Sequence, residues 1–169
     1  MDADLRVNAL YLSSRLRSRL ADAARCPVTT IIAPTGYGKT TAAQYLQRRI
    51  AAEAPDAYLF RQFLSGGGRQ EFWSGLCRAL HTAPQLPAQL RALGYPDSPH
   101  TRQQLLELVQ DALAGKPPVW FILDDVHLLS GGEAAELVSF LAERLPPQAH
   151  LILLSRNQIF SEAQKLRLR

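Results

Sequence analysis

Cysteine is scarce: Cys26 and Cys77 are the only two in 169 residues, and they stand too far apart for a C-x-x-C or metal-ligand spacing. That pattern reads as free or buried thiols in a reducing compartment rather than a disulfide framework. No apolar run approaches the roughly 20 residues of a membrane-spanning helix. The opening Met1-Asp2-Ala3-Asp4 is acidic where a secretory leader would be basic. These absences predict a cytoplasmic chain with no membrane partner. Internal repeats and low-complexity tracts are also missing. What remains is 47% hydrophobic and 20% charged residues, enough for one domain with a sizeable core, and residues 1–169 are read as one. The formal charge of +4 and pI near 9.4 suit phosphate binding without calling for nucleic acid.

The residues present are organised around Ala33-Pro34-Thr35-Gly36-Tyr37-Gly38-Lys39-Thr40, entered by the apolar Val28, Ile31 and Ile32 and left by a helix-forming run, residues 41–50. Strand, glycine loop and helix are the plan of a phosphate-binding loop, in which backbone N–H groups turn inward and the helix N-terminus adds its positive end. Lys39 is expected to reach the β- and γ-phosphates and the Thr40 hydroxyl to sit on Mg2+. The pattern G-x-x-x-x-G-K-[ST] has Gly where this chain has Ala33. Alanine is the smallest residue with a Cβ, so the loop is expected to close.

Along the chain, a short helix is expected over residues 14–24, with Arg15, Arg17 and Arg19 solvated. Ala42, Ala43, Leu46 and Ile50 form an inward stripe on the helix after the loop, which Pro55 and Asp56 end. Residues 57–63 read as a strand and Ser65-Gly66-Gly67-Gly68 as a turn. Phe72, Trp73, Leu76, Cys77 and Leu80 mark a buried helix face. Residues 83–100, with four prolines, read as irregular, with a turn of helix over residues 88–93. A cap at Ser98 before Pro99, or at Thr101 before Gln104, starts the helix carrying Leu105, Leu108, Val109, Ala112 and Leu113. Val119 to Leu123 and Leu151 to Leu154 are uninterrupted apolar strands of the kind buried on both faces of a parallel sheet. Between them Ser130 and Glu133 read as a capping box. Residues 158–169 read as helical or irregular and basic. The fold class is therefore α/β, a mostly parallel sheet with helices on both faces, as in P-loop NTPases.

Ligands of such sheets bind at the carboxyl ends of the strands. The loop, Asp124-Asp125 and Ser155-Arg156 all follow strand ends. Asp124 fits a carboxylate that holds Mg2+ directly or through water beside Thr40. Asp125 either orients the water attacking the γ-phosphate or caps the turn after the strand. His127 is a partner for the carboxylates or a packing residue. Arg156 either reads the γ-phosphate with its fork or is a surface arginine at a strand end.

These residues carry a family resemblance. Residues 33–41, Phe121-Ile122-Leu123-Asp124-Asp125-Val126-His127, Leu145-Pro146-Pro147, His150-Leu151, Ser155-Arg156 and Leu166-Arg167-Leu168-Arg169 resemble the ATPase domain of MalT-like regulators. That family comprises signal-transduction ATPases with numerous domains (STAND ATPases), often ending in a LuxR-type helix-turn-helix. The resemblance implies an ATP-operated switch, closed with ADP and assembling with ATP. It implies nucleotide contacts from Gly36, Tyr37, Gly38, Lys39, Thr40 and Thr41, with Mg2+ on Thr40 and Asp124. Asp125 would support hydrolysis and Arg156 would act as sensor. Ser14-Arg15-Leu16 resembles the family's stretch near the adenine but lacks its proline. Because the family continues into winged-helix, sensor and DNA-binding parts, the chain is expected to be an excised core or a truncated relative. Its expected partners are those other domains, or a second copy when ATP-bound, and not DNA directly. Two alternatives stand beside this. A small P-loop kinase would need an arginine-rich lid, whereas residues 83–100 hold only Arg91. A degenerate interaction domain that no longer binds nucleotide is the other.

Overall fold

Largely apolar runs shortly after Pro27, Pro55, Pro118 and Pro147 set the strands, and helical stripes of apolar residues cover them. The computed structural model describes residues 12–66, 68–80, 85–129 and 132–161. Among these, β1 (Val28–Ile32), β2 (Tyr58–Phe63), β3 (Val119–Asp124) and β4 (Ala149–Ser155) form one sheet in the order β1-β4-β3-β2, with every neighbouring pair parallel. The central strands β3 and β4 are buried almost throughout, whereas the edge strand β2 is mostly half-buried and β1 alternates half-buried and exposed positions around the buried Thr29. Continuous apolar sequence belongs where both faces of a strand are covered. Strand β4 thus lies between the loop strand and the carboxylate strand, with Ile32 opposite Ser155 and Phe63 opposite Asp124.

Side chains alternate between the two faces of the sheet. On one face α1 (Ser14–Ala23) and α2 (Lys39–Glu53) bring Leu20, Ala43, Leu46 and Ile50 against Trp120, Ile122, Ile152 and Leu154. On the other, α3 (Gly68–Ala79), α4 (Leu86–Leu93), α5 (Pro99–Leu113) and α6 (Glu133–Glu143) bury Phe72, Trp73, Leu105 and Leu137 with Phe121, Leu123, Leu151 and Leu153. Full burial of each leucine, isoleucine or phenylalanine among them contributes roughly 1.5–3 kcal/mol. Helix α3 comes close to β2 at Gly75, where a Cβ would overlap the Gln62 amide. Among the described residues no helix is long and apolar enough to cross a membrane.

Most expected elements are present, with boundaries moved by a few residues. Ser98 is the N-cap of α5, with Pro99 in the first turn, and Thr101 closes a reciprocal box with it. Three expectations change. Helix α4 starts at Leu86, because Pro87 lies in the first turn, where its missing N–H costs nothing, and Leu86 and Leu90 are fully buried. Glu133 does not stand at the third helical position that the expected capping box requires. Glu133 is the first residue of α6, after Gly132 as N-cap without a side-chain bond, and its carboxylate accepts from Arg69 Nη1 at 2.6 Å. A 3-10 turn over Val126–Leu129, not expected from the sequence, takes up the chain before it. Ser130, Gly67, residues 83–84 and the basic residues 162–169 lie outside the described residues.

Candidate functional site

Strand β1 delivers the loop. Ala33 N–H donates to Ser155 O at 3.1 Å, so Ala33 continues the ladder with β4 by one residue. Among the described residues Asp125 is the sole non-glycine with a positive φ, so Ala33 has none and its Cβ imposes no left-handed strain. The departure at the first loop position is thereby accommodated. The left-handed turns fall on Gly36 (φ +84°) and Gly38 (φ +78°), the latter serving as N-cap of α2. No side chain caps this helix, unlike α1 and α5, which Ser13 and Ser98 cap, and its first turn holds no acid. The first N–H groups of a 15-residue helix therefore face the loop with no side-chain acceptor, the arrangement that favours an anion. Lys39 Nζ donates to Ala33 O at 2.7 Å and Pro34 O at 3.0 Å, which folds the ammonium back over the loop.

Strand β3 delivers the acids. Asp124 is 4% exposed; its Oδ1 accepts from Asp125 N–H at 3.0 Å and its Oδ2 from Arg61 Nη2 at 2.6 Å. Asp125 takes φ +59°, and its carbonyl accepts from Leu128 N–H at 2.9 Å in the 3-10 turn. Left-handed backbone costs a non-glycine residue roughly 1–2 kcal/mol, least for Asn and Asp. His127 Nδ1 lies 3.7 Å from Asp125 Oδ1, and this buried nitrogen has no hydrogen-bond partner among the described residues.

One pocket of about 300 Å³ collects these ends: it is lined by Thr35, Gly36, Gly38, Lys39, Thr40, Asp124, Asp125 and Arg156. Arg156 is exposed at the end of β4, beside β1. Tyr37 and Thr41 are not among the lining residues, and Tyr37 is 77% exposed. A cation, a hydroxyl, a buried carboxylate and glycine N–H groups on one cavity match the chemistry of a phosphate chain with a divalent ion. Mg2+ is held characteristically by one or two carboxylates plus substrate phosphates, and Thr40 with Asp124 offers the protein's share.

The sequence reading missed Arg61. Its signal was a charge inside an apolar strand, which stays buried only with a partner. Arg91 lines a separate pocket with Trp73, Cys77 and Tyr95, where burial raises the Cys77 thiol and pushes the Tyr95 phenol up to about 12.

Comparison with known proteins follows the same outline. Residues 22–155 match the family described as AAA domain. The HTH-type transcriptional regulator MalT of Serratia proteamaculans (strain 568) is 28% identical over 157 residues, covering 90% of this chain and 17% of MalT. The chain thus spans about a sixth of that relative's length, and the resemblance read from the motifs holds over most of the chain. Among solved structures, Aeropyrum pernix ORC1 in complex with DNA superposes with a TM-score of 0.61 at 14% identity, over 94% of this chain and 44% of that one. Drosophila ORC bound to AT-rich DNA and Cdc6 gives 0.50 at 10% identity, over 91% and 53%. These two share the P-loop ATPase fold with this chain.

Proposed function

The chain belongs to the AAA domain family, and from that premise we propose that it is an ATP-operated switch module of a MalT-like cytoplasmic regulator, with slow Mg2+-dependent ATPase activity. The observation that carries this reading is the single pocket shared by the loop, both aspartates and Arg156. Lys39 and the loop N–H groups hold the phosphates of ATP or ADP. Thr40 and Asp124 hold Mg2+, which offsets the charge of the phosphate chain. Asp125, 37% exposed at its side chain, is free to orient a water, and Arg156 contacts the γ-phosphate. The remaining partners are further domains of a longer regulator, or a second copy in the ATP state; DNA is not read by this segment.

The deciding experiment is a thermal shift with Mg-ATP and Mg-ADP. Ligand at 100 times its Kd stabilises the fold by about 2.7 kcal/mol, so an unchanged melting temperature at millimolar nucleotide would return the chain to the class of interaction domains. A small-molecule kinase finds no support, since Arg91 lies away from the phosphate pocket. Hydrolysis by the isolated chain is expected to be slow, because the pocket's cations are Lys39 and Arg156 alone among the described residues. An additional arginine finger is worth roughly 10³ to 10⁵ in rate. Turnover by the purified chain at about 1 per second or faster would show that no such finger is needed.

A further inference from the structure

Arg61 reaches the site from β2, behind the pocket lining. On β2 and β3 the residues Leu59, Trp120 and Ile122 face α2, and the two-residue alternation puts Arg61, Phe63 and Asp124 on that same face. Arg61 Nη2 donates to Asp124 Oδ2 at 2.6 Å, and Nη1 donates to Gln47 Oε1 on α2 at 3.3 Å. The guanidinium carbon lies 4.4 Å from the Phe63 ring centroid. The two paired side chains are 12% and 5% exposed. The guanidinium is thus held from three sides.

We propose that Arg61 is a positioning residue that competes with Mg2+ for Asp124 and thereby limits how strongly nucleotide binding depends on the metal. This rests on the nucleotide reading above. Both oxygens of Asp124 already accept from the protein, Oδ2 from Arg61 and Oδ1 from the Asp125 N–H. A divalent ion approaching this carboxylate meets a fixed positive charge bonded to it, which cancels much of the attraction the aspartate would exert. With Arg61 in place, Asp124 would offer the ion less negative charge than an unpaired carboxylate. A neutral side chain at residue 61 would give Asp124 its full charge toward the metal.

The test measures ADP affinity of the whole chain by calorimetry, once in excess Mg2+ and once in EDTA, at fixed salt. The quantity read is the ratio of the two affinities. A neighbouring unit charge shifts a carboxylate's cation equilibrium by roughly tenfold or more, so Arg61→Gln is expected to raise the ratio about tenfold, and Arg61→Lys to leave it within about threefold. In an Asp124→Asn background, Arg61→Gln should change the ratio by less than about threefold, the mark of coupling through that carboxylate. Arg61→Met serves as a second neutral variant should Arg61→Gln melt without ligand at the assay temperature. A ratio unchanged in folded Gln or Met variants that still bind ADP would overturn the proposal and leave Arg61 a structural partner. Failure of the unmodified chain to bind ADP in either condition would instead defeat the nucleotide reading, and this inference with it.

Discussion

The phosphate loop and the carboxylate turn stand at the ends of β1 and β3, on either side of β4. Each takes left-handed backbone soon after its strand. In the loop this falls on Gly36 and Gly38; in the turn it falls on Asp125. The difference follows from what each segment presents. In the loop the binding groups are backbone N–H donors, so glycine removes the side chains that would crowd them. In the turn the group turned to the pocket is a side-chain carboxylate, and the bent backbone that carries it costs roughly 1–2 kcal/mol of strain. Anchoring differs as well. Among the described residues Lys39 Nζ bonds to carbonyls of its own loop, whereas Asp124 is bonded to an arginine from another strand.

That contrast can be broken by substitutions. Asp124→Ala leaves the Arg61 guanidinium largely buried without its carboxylate, and breaking such a pair costs about 3–5 kcal/mol. Denaturant unfolding should show this as a lower midpoint, and a loss below about 1 kcal/mol would mean that the pair behaves as a surface contact. Lys39→Ala should do the reverse. It removes the charge-assisted bonds proposed to the phosphates, worth roughly 1.5–3 kcal/mol each, so calorimetric affinity for Mg-ATP falls at least about 100-fold, while the unliganded midpoint moves less than in Asp124→Ala because only bonds to the loop carbonyls are lost there. Equal damage to stability and binding in this variant would erase the distinction between the two segments.

Arg156→Ala sharpens the comparison from β4. Its guanidinium is expected to touch the γ-phosphate only, so ATP should weaken about 10- to 100-fold and ADP should not. Parallel titrations with both nucleotides decide it, and equal losses would assign Arg156 a general electrostatic role. The smallest effect concerns the strained aspartate. Asp125→Gly and Asp125→Ala both remove the carboxylate, but only alanine must keep a Cβ at φ +59°. Their unfolding free energies should differ by about 1 kcal/mol in favour of glycine; equal stabilities would show that the turn relaxes once the acid is gone.

Much of this was written locally in the sequence. Apolar runs named β3 and β4, the glycine-lysine motif named the loop, and Ser98 with Pro99 named the start of α5. What escaped depends on pairing between distant segments. Nothing near Arg61 says that β2 lies beside β3 in the register that puts Phe63 opposite Asp124. Glu133 looked like a capping residue because its partner Arg69 is 64 positions away. The positive φ of Asp125 was hidden for a related reason: it is imposed by a 3-10 turn that the apolar Val126-His127-Leu128-Leu129 does not announce.

The two tryptophans give the sheet a pair of optical reporters. Trp120 packs on the face covered by α1 and α2, with its indole N–H donating to Ala24 O at 3.1 Å. Trp73 packs on the opposite face, edge-on to Tyr95 at 6.1 Å between ring centroids. Because the chain has no third tryptophan, a variant keeping Trp120 alone emits from the layer that carries the loop helix. A variant keeping Trp73 alone emits from the layer of α3 to α6. Coincident fluorescence melts would show that the two layers unfold as one cooperative unit, and separated melts would identify which layer loosens first.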